Sequence, residues 1–424
     1  MQKKNGLSPK YADRPLRICL LSYRTNPFCG GQGVYVKNLS RALSDLGHQV
    51  EIVSGPPDVC FNNDIPVHRL PSLDLYNPND LFRTPSLKEL SDPINLMEWL
   101  GVSTMGFPEP FIFGLRAYHF LKTRKKRYDI IHDNQSLSYG IWAISKWMPT
   151  IATIHHPITI DRDIAVRATK NFFKKLQHLR WYSFVGMQKR VVRRLPRFIT
   201  VSKCARDDIC REFKLPPKRF RIAPNGIDTL RFHPVPDIAR HKNRIITTTS
   251  SDTPLKGLSF LLDAVARITE IYPIRLIVVG TPKKHGRILD LVHKLDLNKI
   301  VRFTGPLNDM EFVREYAKAT LAVIPSIYEG FGLPAGEAMA CKVPVISTTG
   351  GALPEVVGDA GILVPPQDSN ALFKALWDLL NHPNKAKALG QAGYQRATTC
   401  FTWKQAALKT VAAYQEVLSD YGRL

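Results

Sequence analysis

The sequence predicts an α/β protein built on two doubly wound parallel sheets, one following the other along the chain. Three observations predict it. Short runs rich in β-branched residues alternate with longer amphipathic segments from Arg17 almost to the end. The short runs are apolar on both faces, as strands of a parallel sheet covered by helices must be. They also fall into two series, parted where Pro224-Asn225-Gly226-Ile227-Asp228 and then Pro234 and Pro236 interrupt regular structure.

The first series reads as strands over residues 17–24, 49–54, 129–132, 150–155 and 198–202. The second reads as strands over 244–249, 274–280, 300–304, 321–324, 343–347 and 362–364. Helical periodicity fills most gaps between them, for example over 34–46, 258–271, 310–319 and 371–380. Residues 59–108 are proline-rich and weakly periodic, and read as an excursion of the first domain. The division that follows is a tail over 1–14, a first domain over 15–223, a second over 224–400 and a terminal helix over 401–424. Ligands of open α/β sheets lie outside the carboxyl ends of the strands, and two such sheets facing each other would place the site in the cleft between them.

A chain of 424 residues is comfortable for two domains, each able to bury its own core. Its apolar fraction of 44% and charged fraction of 22% exclude disordered and fibrous classes. No apolar run reaches the roughly 18 residues of a membrane span. No apolar segment follows the lysines at residues 3 and 4, so the expected location is cytoplasmic. Seven scattered cysteines form no Cys-x-x-Cys pair, so reduced thiols are expected, with no structural metal and no disulfide framework. The net charge of +23 points to an anionic partner. Part of it lies in Lys122, Arg124, Lys125, Lys126 and Arg127, and part in residues 162–221, interleaved with Phe172, Phe173 and Trp181. Two readings of that surface stay open: a solvated basic face, or an aromatic-bearing surface resting on anionic lipid at the inner face of the membrane.

Two glycine-rich stretches carry the chemistry. Cys29-Gly30-Gly31-Gln32-Gly33 precedes the first helix, where glycines admit a ligand close to the backbone and a helix N-terminus favours an anion. Its spacing matches neither a dinucleotide fingerprint nor a P-loop, and a tight strand-to-helix turn explains it equally well. More specific is Tyr328-Glu329-Gly330-Phe331-Gly332-Leu333-Pro334-Ala335-Gly336-Glu337, which follows a strand and opens a helix. Its glycines leave backbone amides able to cradle a phosphate. Glu337, read into the first turn of that helix, either complements the helix dipole or accepts hydrogen bonds from a vicinal diol such as a ribose. Glu329, at the strand end, could do the same for sugar hydroxyls.

This stretch resembles glycosyltransferase family 4, the retaining GT-B enzymes, whose signature is two glutamates separated by seven residues around Gly-Phe-Gly-Leu-Pro. Pro344 to Val357, Gly361-Ile362-Leu363-Val364, the Gly30–Gly33 loop with Gly47-His48, Val201-Ser202 and Pro224 to Asp228 resemble it too, in collinear order. The resemblance implies two Rossmann-like domains and transfer of a sugar, with retention, from a nucleotide-diphosphate sugar to an acceptor hydroxyl. It implies that Glu337 binds the ribose, that Glu329 binds the transferred sugar, and that Lys256 neutralises the leaving diphosphate. It also implies that Gly31, Gly33, Gly330, Phe331, Gly332 and Leu333 line the donor, and that His155 stands near the donor's sugar. Residues 401–424 resemble the terminal helix that returns to the first domain. Read without the resemblance, His155 and His156 would each be a histidine closing a hydrogen-bond network. Ser251 occupies the place of a family arginine, which removes a charge-assisted contact worth about 1.5–3 kcal/mol; Lys283 and Lys284 are candidates to replace it.

No metal or other cofactor is expected. The donor is expected to be a UDP-sugar before a GDP-sugar, and the acceptor lipid-linked, phosphorylated or a glycan, in cell-surface glycan or glycolipid synthesis. No nucleic acid is expected as a partner. The alternative from another class is an inactive scaffold of the same fold that binds an anionic partner through its basic surface.

Overall fold

The computed structural model describes residues 14–25, 31–57, 65–77, 80, 83–248, 253–284 and 286–422. The chain divides into two compact units. One comprises residues 1–201, 206–223 and 403–424; the other comprises 202–205 and 224–402.

The first unit holds a seven-stranded sheet of β1 (Arg17–Ser22), β2 (Gln49–Ser54), β3 (Val67–Arg69), β4 (Ile130–Asn134), β5 (Thr150–Ile154), β6 (Phe198–Thr200) and β7 (Phe220–Ile222). Their spatial order is β3-β2-β1-β4-β5-β6-β7, and every pairing is parallel. Ile18, Cys19, Leu20 and Leu21 are all buried, so β1 is covered on both faces, as its apolar run requires. The helix Gly31–Asp45 presses Tyr35, Val36, Leu39 and Leu43 into this core. The terminal helix Trp403–Tyr421 joins the same core through Ala407, Tyr414, Val417 and Leu418. Each large side chain buried there contributes about 1.5–3 kcal/mol, which is why the last stretch of chain groups with the first sheet.

The second unit holds β8 (Arg244–Thr248), β9 (Arg275–Val279), β10 (Val301–Phe303), β11 (Leu321–Ile324), β12 (Val345–Thr348) and β13 (Ile362–Val364). The order is β10-β9-β8-β11-β12-β13, again all parallel. The helix Leu258–Thr269 buries Leu258, Leu261, Leu262, Val265 and Ile268, the i, i+3, i+4, i+7 stripe of a helix lying on a sheet.

The expected doubly wound sheets are therefore present. Two elements escaped the sequence: β3 and β7, three residues each, sit at the two edges of the first sheet. No position of β3 and only the first of β7 is buried, so no continuous apolar run announces them. The stretch read as an irregular excursion also holds structure, namely β3 and the helices Leu87–Leu90 and Pro93–Ser103. Ser86 and Glu89 form a capping box on the first helix, and Asp92 caps the second ahead of Pro93.

Each sheet reverses its winding once, between β1 and β4 and between β8 and β11. The loops leaving those strands diverge there and open a crevice at the carboxyl ends.

Candidate active site

In the second unit, two loops leave the switch point. One follows β8 and ends in the single turn Pro254–Lys256; the other follows β11 and carries residues 325–332. Gly257, in the left-handed region at φ 65°, closes the first loop, and a Cβ there would lie 2.0 Å from the Pro325 carbonyl oxygen. The Ile327 N–H donates to the Leu255 carbonyl at 2.8 Å and locks the loops to each other. That contact delivers Lys256 to Glu329: Lys256 Nζ donates to Glu329 Oε1 at 2.6 Å, and Ser326 Oγ donates to the same oxygen at 2.8 Å. The backbone of Glu329 is clamped from the far side. Ala352 N–H donates to its carbonyl at 2.8 Å, and Gly351, with φ 65°, lies so close that a Cβ would sit 2.2 Å from that oxygen. The glycine pair before Ala352 thus serves to seat Glu329, a role its position in the sequence does not reveal.

Gly332 adopts φ 101° and starts the helix Leu333–Ala340, with Pro334 in its first turn. The N–H groups of Phe331, Gly332 and Leu333 donate to no described backbone or side-chain acceptor. Open donors at a helix start are what an anion requires. The loop itself is fixed by Ser202 Oγ, which donates to the Gly330 carbonyl at 2.8 Å, and by Phe331, buried edge-on against Phe401 with centroids 5.6 Å apart.

Glu337 lies one residue beyond the first turn in which it was expected. The helix begins at Leu333 because Gly332 supplies the left-handed turn, so Glu337 is its fifth residue and the first turn holds no acid. A carboxylate there gains little from the helix dipole, which favours the reading as a ligand group. Desolvation pushes its carboxyl up to about 7, opposed by the positive charge of Arg231 and reinforced by Asp228. Arg231 is a residue the sequence did not single out. Its guanidinium pairs with Asp309 at 2.8 Å and lies over Phe232 and Phe312, while its Nε is buried without a hydrogen-bond partner. An isolated arginine five residues past an Asn-Gly turn carries no local signal.

Ser251 lies outside the described residues. Lys283 and Lys284 are exposed on the loop after β9. Among the described residues no group of three His, Cys, Asp or Glu is placed to hold a metal ion.

In the first unit, Gly31 is the first residue of the helix Gly31–Asp45, and a Cβ on it would meet nothing within 4 Å; Gly33 is buried. Cys29 and Gly30 lie outside the described residues. His155 follows β5. Its N–H donates to Gln135 Oε1 at 2.7 Å, its Nε2 lies 2.8 Å from Asn134 Oδ1, and Tyr35 meets its ring edge-on at 4.7 Å. Desolvation, with repulsion from His156 and then His132, holds its pKa far below the usual imidazole range. His156 is instead paired with Asp161, its Nε2 2.6 Å from Oδ2. Asn134 and Gln135, at the end of β4, were absent from the sequence reading because amide side chains at a strand end are indistinguishable from turn formers.

Comparison with known proteins identifies the family. Residues 29–231 match the family described as Glycosyltransferase Family 4, and residues 234–396 the one described as Glycosyl transferases group 1. The chain is 44% identical, over 409 residues, to the MMP alpha-(1->4)-mannosyltransferase of Mycolicibacterium hassiacum, covering 95% of this chain and 99% of the relative. Among solved structures, sucrose-phosphate synthase from Thermosynechococcus elongatus superposes with a TM-score of 0.73 at 24% identity, over 95% of this chain and all of that one. Anabaena HepE, solved in complex with UDP-glucose, superposes with a TM-score of 0.66 at 17% identity, over 96% of this chain and all of that one. Both share the fold.

Proposed function

Because the chain belongs to glycosyltransferase family 4 and is a glycosyltransferase of the GT-B type, we propose that it moves a mannosyl group, with retention, from a nucleotide-diphosphate sugar to a hydroxyl of a glycan acceptor. The observation that carries this reading is the Lys256–Glu329 pair at the switch point of the second sheet, beside three open backbone N–H groups. The mannosyl group comes from the relative's name, and its α linkage fits retention of an α-configured donor. The nucleotide is a uridine or guanosine diphosphate; UDP-glucose in HepE supports a diphosphate donor on this fold.

On this reading Lys256 turns from Glu329 to the diphosphate when the donor binds, and Glu329 is freed for the sugar's hydroxyls. The amides of Phe331, Gly332 and Leu333 stabilise negative charge on the departing phosphate. The sugar passes through an oxocarbenium-like state, and the acceptor attacks the face the phosphate leaves. The departing phosphate oxygen takes the acceptor's proton, and no metal is required. Glu337 accepts hydrogen bonds from the ribose diol.

A thermal-shift panel of UDP, GDP, ADP and their sugar conjugates tests the reading. One nucleotide at a hundredfold excess over its Kd should stabilise the protein by about 2.7 kcal/mol. NMR of the product made from that donor and mannose oligosaccharides should show an α linkage. A β product overturns retention, and no shift with any nucleotide overturns donor binding.

We also propose peripheral attachment to an anionic membrane. No described helix is long and apolar enough to cross a bilayer. The helix Phe172–Trp181 exposes Phe172, Phe173, Leu176 and Leu179 among Lys174, Lys175 and Arg180, and no acidic residue occurs between Asp163 and Asp207. That pairing of apolar and basic groups suits an anionic lipid surface. Co-sedimentation with vesicles containing anionic phospholipid at physiological salt is expected, and loss of it in Phe172→Ser/Phe173→Ser. Equal recovery with neutral vesicles, or none with either, rules attachment out.

A further inference from the structure

We propose that Asn134 is a positioning residue that holds His155 as the neutral Nε2–H tautomer, leaving Nδ1 as an acceptor aimed at a hydroxyl of the bound saccharide. The inference rests on the reading that His155 faces the sugar. The tautomer itself follows from the hydrogen bonds.

Asn134 Nδ2 donates to the Gln32 carbonyl at 3.2 Å and to Ser22 Oγ at 3.3 Å. A carbonyl only accepts, so the NH2 end of the amide must face Gln32; flipping the amide would set two acceptors against each other. Ser22 cannot reverse the direction either, because its own hydroxyl proton is committed to the Arg24 carbonyl at 2.8 Å. Oδ1 therefore faces His155 Nε2 at 2.8 Å, and the nitrogen must carry the hydrogen.

The next residue makes the clamp two-sided. Gln135 Nε2 donates to the His156 carbonyl at 3.0 Å, which orients Oε1 to receive the His155 N–H. The ring cannot swing away, because Tyr35 packs on it edge-to-face at 85°. Tyr35 is in turn braced by a chain of bonds from its hydroxyl to Thr153 Oγ1, from Thr153 to His132 Nε2, and from His132 Nδ1 to Tyr414 of the terminal helix. A second proton on the ring is disfavoured by desolvation and by the neighbouring His156 and His132. One polar atom of this network is left over: Nδ1 has no hydrogen-bond partner among the described residues, on a side chain only half-buried. A histidine that merely closed a network would have both nitrogens engaged, as His132 does.

The test is the 15N spectrum of ring-labelled histidine in the full chain at pH 7, with the His155 signals assigned by their loss in His155→Gln. Wild type should show a protonated Nε2 and a bare Nδ1. Asn134→Leu removes the acceptor and should release the ring to a mixture of tautomers. It should lower kcat about tenfold, the value of one hydrogen bond, while UDP or GDP affinity is unchanged. Asn134→Asp keeps the acceptor but adds a charge that draws a second proton onto the ring; its kcat should be low at pH 7 and recover as pH rises. A wild-type ring with Nδ1–H or with both nitrogens protonated overturns the proposal without any variant. An unchanged tautomer in folded Asn134→Leu overturns the part played by Asn134. A shifted tautomer with wild-type kcat overturns the role of His155 toward the saccharide and leaves the donor-binding reading intact.

Discussion

Lys256→Ala is expected to lower kcat by a factor of about 10²–10³, with a much smaller change in the melting temperature. The factor is what one preorganised donor aimed at developing charge contributes in a water-poor site. Charge on the leaving diphosphate is largest at the transition state, so the loss should fall on kcat more than on the donor KM. On the proposed reading, Ser251 stands where the resemblance expects an arginine, so Lys256 would carry a larger share of that task. The small effect on stability has a separate cause. The Lys256 and Glu329 side chains keep 25% and 13% of their exposure, and Ser326 still donates to Glu329 when the lysine is gone. Losing a partly solvated pair costs about 1 kcal/mol. Steady-state kinetics beside a melting curve separates the two, and a variant with wild-type kcat would remove Lys256 from the leaving-group chemistry.

Glu337→Gln should make the protein more stable above neutral pH and a worse binder of its donor. The carboxyl titrates at about 7 in the folded chain against 4.5 in its ordinary state. Between those values the folded chain holds a proton that the unfolded chain has released. Stability therefore falls as pH rises from about 4.5 to 7, and the full penalty stands above 7. At 1.36 kcal/mol per unit, discounted because the side chain keeps some contact with solvent, the penalty is about 1–2 kcal/mol. The amide removes it, so the variant should melt a few degrees higher at pH 8 and match wild type at pH 4.5. Its cost appears in binding. A diol donates two hydrogen bonds to a carboxylate, and replacing that charged acceptor should weaken the nucleotide tenfold to a hundredfold. Wild-type affinity should rise with pH to about 7 and level off, since the ribose needs the ionised form; the variant's affinity should be flat. Melting curves and nucleotide titrations at pH 5, 6, 7 and 8 measure both, and a pH-independent wild-type affinity would overturn the assignment of Glu337 to the ribose.

These two groups differ in how far they could be read from the chain. Glu329 and Glu337 stand in one short segment whose glycines and proline mark it as a loop opening a helix, so their neighbourhood is visible locally. Arg231 is not, because nothing near it in sequence announces that it sets the charge around Glu337; that follows from the ion pair with Asp309 and the stack on Phe232 and Phe312. The edge strands β3 and β7 were missed for a related reason. A strand at an edge is stabilised by its one neighbour and needs no apolar run of its own, so its three residues look like a loop.

What the sequence by itself determined is the two-sheet α/β architecture and the glycine-rich segments at its strand ends. Both are consequences of short-range patterning, because a strand buried on both faces must be apolar throughout and a chain that approaches a phosphate must shed its side chains. What only the tertiary structure decided is which groups face one another. Lys256 and Glu329 are 73 residues apart, and Asn134 and His155 are 21 apart. Such pairs exist because crossover helices return strands to adjacent places in a sheet, and the spacing that results depends on the lengths of those helices and on register rather than on any local rule. The protonation states follow from the same packing: burial raises Glu337, and the fixed amide of Asn134 selects one tautomer of His155.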